Sequence, residues 1–100
     1  MRKITKQMLT AYNNSQSFKS GNTKVIVNEN SSCGTLTQIY LFDNLIAEHS
    51  DEGLKITNCG WQTDTTKERL NALPNVSIQQ KKKKWYLNGN EWNGEWTKVI

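Results

Sequence analysis

Four consecutive lysines, Lys81–Lys84, lie directly beside an aromatic cluster in the stretch QQKKKKWYLNGNEWNGEW. Lysine ammonium groups bind phosphate as point charges, and neighbouring aromatic rings can stack on bases. This combination predicts a nucleic-acid surface whose phosphate contacts are salt-sensitive and largely independent of base sequence. The alternative is a solvated hairpin turn, where lysines deter edge-to-edge association. The sequence leaves both interpretations open.

Further cations and one ring are candidates to join this surface. Lys67 and Arg69 lie on the second predicted helix, and Lys98 lies on the last predicted strand. Tyr86 is the candidate exposed ring, because alternation along a strand puts it on the face opposite Trp85. The predicted nucleic-acid site therefore comprises Lys81, Lys82, Lys83, Lys84, Tyr86, Lys67, Arg69 and Lys98.

The four tryptophans suggest a second kind of site. Trp61 and Trp85 are expected in the core, since each buries a large apolar surface. Trp92 and Trp96 stand among turn residues with acidic neighbours in NEWNGEW, and carboxylates there would repel a phosphate backbone. The alternative site is thus a protein-binding surface at Trp92 and Trp96.

Catalytic and metal chemistry have weak support in the sequence. Carboxylates cluster with the single histidine in one stretch dense in turn residues, at Glu48, His49, Asp51 and Glu52. A solvated turn explains that stretch better than a catalytic pair. Cys33 and Cys59 have no metal-ligand or nucleophile spacing with the histidine, so free thiols are expected. We expect no catalytic residue, metal or cofactor, and keep a small enzyme as a minor alternative.

Two short helices are predicted. Ile4, Met8, Ala11 and Tyr12 form one apolar stripe on a helix over about residues 4–13. Basic residues in its first turns oppose the helix dipole, so this helix must depend on docking. A second helix over about residues 65–73 follows from a capping box, Thr65 with Glu68, and it ends before Pro74.

The rest of the chain predicts short antiparallel strands. Alternating stretches are separated by turn residues, including Asp43–Asn44 and two Asn-Gly pairs; the stretches are TKVIVNE, TLTQIYLF, LIAEHS, LKITNC, VSIQQ, KWYLNG and EWTKVI. The expected fold is one α+β domain over residues 1–100, with an antiparallel sheet of about five to six short strands and two short helices.

The composition suits a small folded protein that works in the cytoplasm. Charged residues make up 22% and hydrophobic residues 35% of the 100 residues, with a formal net charge of +4. The longest aliphatic or aromatic run is IYLF, so neither a secretory signal nor a membrane span is expected. A positive charge favours anionic partners only weakly. The oligomeric state stays open, because a sheet edge would allow a homodimer.

Parts of the chain resemble a known family. The stretches GNTKVIV and LFDNLIAE, and above all the block from Gly60 to Ile100, resemble a family of short proteins from tailed bacteriophages and prophages. The resemblance implies a phage-encoded, cytoplasmic accessory protein and no particular reaction. One departure is Lys83, which stands where the resemblance leads us to expect glycine and argues against a positive φ at that turn.

These observations predict one functional class, a binding protein, with two alternative kinds of partner. We expect a non-enzymatic phage accessory protein that binds nucleic acid through the basic turn and its aromatics. The alternative is a stoichiometric inhibitor or modulator of a host factor, such as a defence system or a transcription component. In that case the protein would serve anti-defence or host takeover through an aromatic patch.

Overall fold

The computed structural model describes residues 2–31 and 34–100, and the side chains of all these except 30 and 31. This part of the chain forms two helices, α1 (Lys3–Asn13) and α2 (Asp64–Asn71), and nine strands. The strands are β1 (Phe18–Ser20), β2 (Thr23–Ser31), β3 (Gly34–Leu41), β4 (Asn44–Ser50), β5 (Gly53–Ile56), β6 (Ile78–Lys81), β7 (Lys84–Leu87), β8 (Asn90–Glu91) and β9 (Thr97–Lys98).

The larger sheet has six antiparallel strands in the order β1-β2-β3-β4-β5-β9. Its central part is the predicted meander, in which each strand pairs with the next one along the chain. The turn between β3 and β4 falls on Phe42 and Asp43, both with positive φ, one residue before the predicted Asp43–Asn44 turn. The turn is therefore formed by Phe42 and Asp43, and Asn44 is the first residue of β4.

The smaller sheet has three antiparallel strands in the order β6-β7-β8. The α+β class is confirmed, but the strands divide between two sheets instead of forming one. The chain leaves β8 after Glu91 and returns to the larger sheet, where Lys98 pairs with Lys55 on β5. The lysine hairpin thus belongs to a separate small sheet whose inner face adds to the core.

Both sheets and both helices contribute to one buried apolar cluster. Leu54 and Ile56 come from the larger sheet, Leu70 from α2, and Trp85 and Leu87 from the smaller sheet. Side chains alternate along each strand, so each buried residue leaves its sequence neighbours on the opposite face. In the smaller sheet this alternation leaves one face to solvent.

The first helix agrees with its prediction. It begins at Lys3 and ends at Asn13, and Met8, Ala11 and Tyr12 are buried against the sheet. No side chain caps its N-terminus and no acidic residue lies in its first turn. Both absences agree with the expectation that this helix depends on docking, which stays a prediction. Within the described residues, neither helix has the length and apolar character that crossing a membrane requires.

The second helix has a different cap from the predicted one. Its N-cap is Thr63, whose hydroxyl accepts a hydrogen bond from the Thr66 N–H at 3.2 Å. The predicted capping box of Thr65 and Glu68 is wrong, because Glu68 accepts the Thr5 hydroxyl at 2.6 Å instead. The helix ends at Asn71, two residues before the predicted boundary.

Candidate functional site

The four lysines form the end of the hairpin between β6 and β7. Lys81 is the last residue of β6, Lys84 is the first of β7, and Lys82 and Lys83 make the two-residue turn between them. Their φ angles are 51° and 68°, which is the left-handed region. Such turns favour Asn-Gly, because an L side chain in this region is strained. Lys83 therefore adopts a positive φ, and the prediction that a lysine at this position argues against a positive φ is wrong.

The hairpin register decides which side chains share a face. Lys81 lies opposite Lys84, and Gln79 lies opposite Tyr86. Directly opposed residues share a face, so these four point to the solvent side of the small sheet. We call Lys81–Lys84 together with Gln79 and Tyr86 the basic hairpin face. Lys81 and Lys84 are exposed, and Tyr86 is half-buried.

One carboxylate also lies on the basic hairpin face. Glu91 on β8 pairs with Tyr86, and its Oε1 lies 3.4 Å from the Lys84 Nζ. Both side chains of this ion pair are 63% exposed. An exposed pair of this type contributes little stability and competes weakly with another anion. The face therefore keeps most of the charge of its four lysines.

Lys67 lies beside the hairpin but on its other side. Its Nζ donates a hydrogen bond to Gln80 Oε1 at 3.1 Å and lies 3.4 Å from Asp64 Oδ1. Gln80 is opposite Trp85 in the register and so shares the inner face. Lys67 therefore supports the edge strand β6 and does not extend the basic hairpin face.

The prediction that Arg69 joins the basic surface is wrong. Its side chain is only 2% exposed. The guanidinium donates to Thr23 Oγ1 at 3.1 Å, to Thr5 Oγ1 at 2.9 Å and to Glu68 Oε1 at 2.5 Å. These bonds join α1, α2 and the start of β2, so Arg69 has a structural role.

Burial and hydrogen bonding in this network shift the pKa values of Arg69 and Glu68. Burial lowers the pKa of Arg69, while the Glu68 carboxylate opposes that shift. The hydrogen bond from the Thr5 hydroxyl lowers the pKa of Glu68, and the positive charge of Arg69 acts in the same direction. Glu68 is thus held as a carboxylate, which suits a buried arginine.

Lys98 lies on a different sheet from the four lysines. It is on β9 of the larger sheet, opposite Lys55, and it lines a cavity with Leu87, Asn88 and Glu91 of the smaller sheet. Its convergence with the four lysines stays a prediction.

The tryptophans differ from their predicted roles at two positions. Trp85 is buried as expected, but Trp61 is 58% exposed, so its prediction as a core residue is wrong. Trp92 is also buried, and its Nε1–H donates to Thr97 Oγ1 at 2.9 Å. Trp92 cannot act as part of a protein-binding surface, whereas Trp96 is 48% exposed.

The histidine of the turn-rich stretch bonds within the fold. His49 Nδ1 lies 2.6 Å from the Tyr12 hydroxyl, on the side of β4 that faces α1. Burial raises the pKa of Tyr12. Among the described residues, no cluster of three or more His, Cys, Asp or Glu side chains could hold a metal ion. Cys59 is exposed, and Cys33 lies outside the described residues.

The comparison with known families decides the identity of the chain. The family model described as Kyanoviridae Gp96 protein matches residues 1–99. The chain belongs to this family. The resemblance to phage proteins is therefore confirmed, and this Kyanoviridae Gp96 family member has a bacteriophage origin. No curated protein and no solved structure matches it.

Sequence reasoning missed two exposed rings in this Kyanoviridae Gp96 family member. Phe42 is 63% exposed at the turn between β3 and β4, and Trp61 is exposed in the loop before α2. Both line a largely apolar cavity of about 340 Å³. A signal for Phe42 was its position directly before the turn residue Asp43. Trp61 had a weaker signal, its place between a Cys-Gly turn and a helix cap.

Proposed function

We propose that this phage protein is a non-enzymatic accessory protein that binds nucleic acid through the basic hairpin face. The observation that carries the proposal is the hairpin register, which puts Tyr86 beside Lys81 and Lys84 on one solvent-facing surface. Cations that follow a phosphate backbone, together with a ring that can stack on a base, are typical of single-strand binding. The proposed setting is the cytoplasm of the infected bacterium, where such a partner is present.

The hairpin carries two costs to folding, and an anionic partner would offset the second of them. Lys82 and Lys83 adopt left-handed backbone, which is unfavourable for L side chains. Lys81 and Lys84 are directly opposed, and like charges at such positions are destabilising. A phosphate group between these ammonium groups would remove the repulsion between them. The repulsion that a phosphate group would remove supports a role for these lysines in binding an anion, beyond forming a solvent-exposed turn.

The test is a fluorescence-anisotropy titration with labelled single-stranded and double-stranded DNA and RNA at two salt concentrations. We expect binding at low salt that weakens as salt rises. Replacing Lys81–Lys84 by glutamine should weaken the binding strongly and reduce the salt slope of the residual single-strand binding by up to about 3, since each neutralised phosphate contributes about 0.7. Tyr86→Ser should weaken single-strand binding more than duplex binding.

A matched control removes the same charge elsewhere. Arg2, Lys3, Lys6 and Lys19 are all exposed and lie on or beside α1 and β1, outside the smaller sheet, so their joint replacement by glutamine changes the net charge equally. This control should lose only a small part of the affinity. Equal losses in the two variants would show that net charge alone attracts the nucleic acid and would refute the proposed site. Failure of the parent protein to bind nucleic acid at low salt would also refute the proposed site.

A further inference from the structure

A second surface lies between the β3–β4 turn and the loop before α2. Leu41, Phe42, Ile46 and Trp61 form the apolar half of its lining, and the cavity of about 340 Å³ is near the lower end of the range for ligand pockets. We call it the Phe42–Trp61 groove. Phe42 is 63% exposed and Trp61 is 58% exposed, so two large rings stand open to solvent at its rim. Exposed aromatic side chains of this kind are enriched at protein-binding sites.

The fold does not explain why a phenylalanine occupies position 42. Its φ is 50° and that of Asp43 is 64°, so the two form a turn that favours Asn-Gly. Phe42 adopts strained backbone and leaves most of its ring in water. A bulky residue with positive φ is an outlier, and such outliers cluster at functional sites. The side chain of Phe42 is therefore better explained by an interaction outside the fold.

Hydrogen bonds hold the loop that forms the other wall of the groove. The backbone N–H of Trp61 donates to the Asn58 carbonyl at 2.8 Å, and the backbone N–H of Gly60 donates to Asn58 Oδ1 at 2.8 Å. The Asn58 N–H in turn donates to the Gly94 carbonyl at 3.1 Å. These bonds fix the loop that presents Trp61. A preformed site loses less conformational entropy on binding, which favours affinity.

The charges next to the groove indicate the chemistry of the partner. Asp43 follows Phe42 and Asp64 follows the lining residue Thr63, and both carboxylates are 96% exposed. Lys24 and Lys67 lie 4.0 and 3.4 Å from them but are only 33% and 23% exposed, so the carboxylates are the more accessible charges beside the groove. The described lining of the groove contains no lysine or arginine. Positive charge on a partner would complement this surface, whereas a phosphate backbone would be repelled.

We propose that the Phe42–Trp61 groove binds a segment of a partner protein that inserts an apolar side chain between the two rings and carries lysine or arginine beside it. The segment's apolar side chain would contact Leu41 and Ile46, and its cation would lie against Asp43 or Asp64. The groove has its own lining residues, none of which belongs to the basic hairpin face. Protein binding there and nucleic-acid binding at the hairpin are separate properties.

The test uses short synthetic peptides of equal length as probes and the Trp61 indole N–H as reporter. One peptide alternates arginine with leucine and phenylalanine, the second has glutamate in place of arginine, and the third has serine in place of the apolar residues. Titration is followed by ¹H–¹⁵N NMR, with the Trp61 signal assigned from Trp61→Phe. We expect the first peptide to shift the Trp61 signal saturably and the other two to bind at least about tenfold more weakly.

Two variants separate binding from folding. Phe42→Asn should fold at least as stably as the parent, because asparagine tolerates the left-handed turn, and it should abolish the peptide-induced shift. Tyr86→Ser is the matched aromatic control on the other surface and should retain the shift. The variant with Lys81–Lys84 replaced by glutamine should also retain it, so failure of the nucleic-acid proposal would leave this result intact.

The proposal is overturned if the arginine-containing apolar peptide leaves the Trp61 signal unchanged. It is also overturned if the glutamate peptide binds equally well, or if Phe42→Asn binds the first peptide like the parent. A single-stranded oligonucleotide that shifts the Trp61 signal saturably, with the peptides inactive, would assign the groove to nucleic acid instead.

Discussion

The left-handed lysine turn makes a quantitative prediction for Lys83→Gly. Lys83 has φ 68°, and the left-handed region costs an L residue about 1–2 kcal/mol. Glycine removes that cost but loses about 0.5–1 kcal/mol through greater freedom in the unfolded chain. The difference is a stabilisation of about 0.5–1 kcal/mol, which corresponds to a rise in Tm of roughly 2–8 °C for a domain of this size.

Urea unfolding measured by tryptophan fluorescence checks this value, because Trp85 is buried and its emission reports the folded state. Two control variants separate the effect of backbone conformation on stability from the effect of removing a charge. Lys81→Gly removes the same charge from an extended strand position, where the glycine cost of about 0.5–1 kcal/mol is opposed only by relief of the repulsion from Lys84, so it should stabilise less than Lys83→Gly. Lys83→Ala removes the charge while keeping a Cβ, so its stability should stay near that of the parent. The reasoning is refuted if Lys83→Gly is no more stable than Lys83→Ala.

Three further predictions concern the interior and its charges. Gly94 and Gly89 have nearly equal φ, 91° and 90°, but a Cβ at Gly94 would overlap the Asn58 side-chain amide, whereas a Cβ at Gly89 would meet nothing within 4 Å. In urea titrations, Gly89→Ala should therefore lower the free energy of unfolding by about 1–2 kcal/mol, and Gly94→Ala should lower it by at least about 3 kcal/mol. Arg69→Met should destabilise by about 2–3 kcal/mol, since the Glu68 carboxylate and two threonine hydroxyls lose their donor, while anisotropy shows unchanged nucleic-acid affinity of the folded fraction. Because the pKa of Glu68 is lowered in the folded state, its stabilising contribution is present above the ordinary glutamate pKa and is lost as pH falls through the lower folded value. Glu68→Gln should therefore reduce the acid dependence of the urea midpoint between neutral pH and about pH 3, and an unchanged dependence would contradict the assigned role.

The local patterns of the sequence predicted most of the secondary structure. Alternation and turn residues were sufficient for the β2–β5 meander, and the stripe containing Met8, Ala11 and Tyr12 was sufficient for α1. The basic hairpin was also predictable, because two alternating stretches flank the lysines. These features depend on neighbours within a few residues, which is the range that such patterns report.

The site predictions failed where distant residues decide the environment. Arg69 is buried because its partners Thr5 and Thr23 lie 64 and 46 residues away, although its spacing from Leu70 and Leu73 placed it near the apolar stripe of α2. Trp61 is exposed because the loop bonds to Asn58 and Gly94 fix it outside the core. The local signals for both effects were weak compared with the contacts to distant residues. Hydrophobic character alone predicted Trp61 as a core residue, and charge alone predicted Arg69 as a surface residue.

The bonds of Arg69 also have a consequence for local unfolding. Thr5 on α1 contacts both Glu68 and Arg69 on α2, so undocking of α1 would expose a guanidinium whose partners are then incomplete. α1 has no side-chain cap and an unfavourable dipole, and hence little stability of its own. The two helices should therefore open together as one cooperative unit, and the amide hydrogens of α1 should exchange at the rate set by that joint opening.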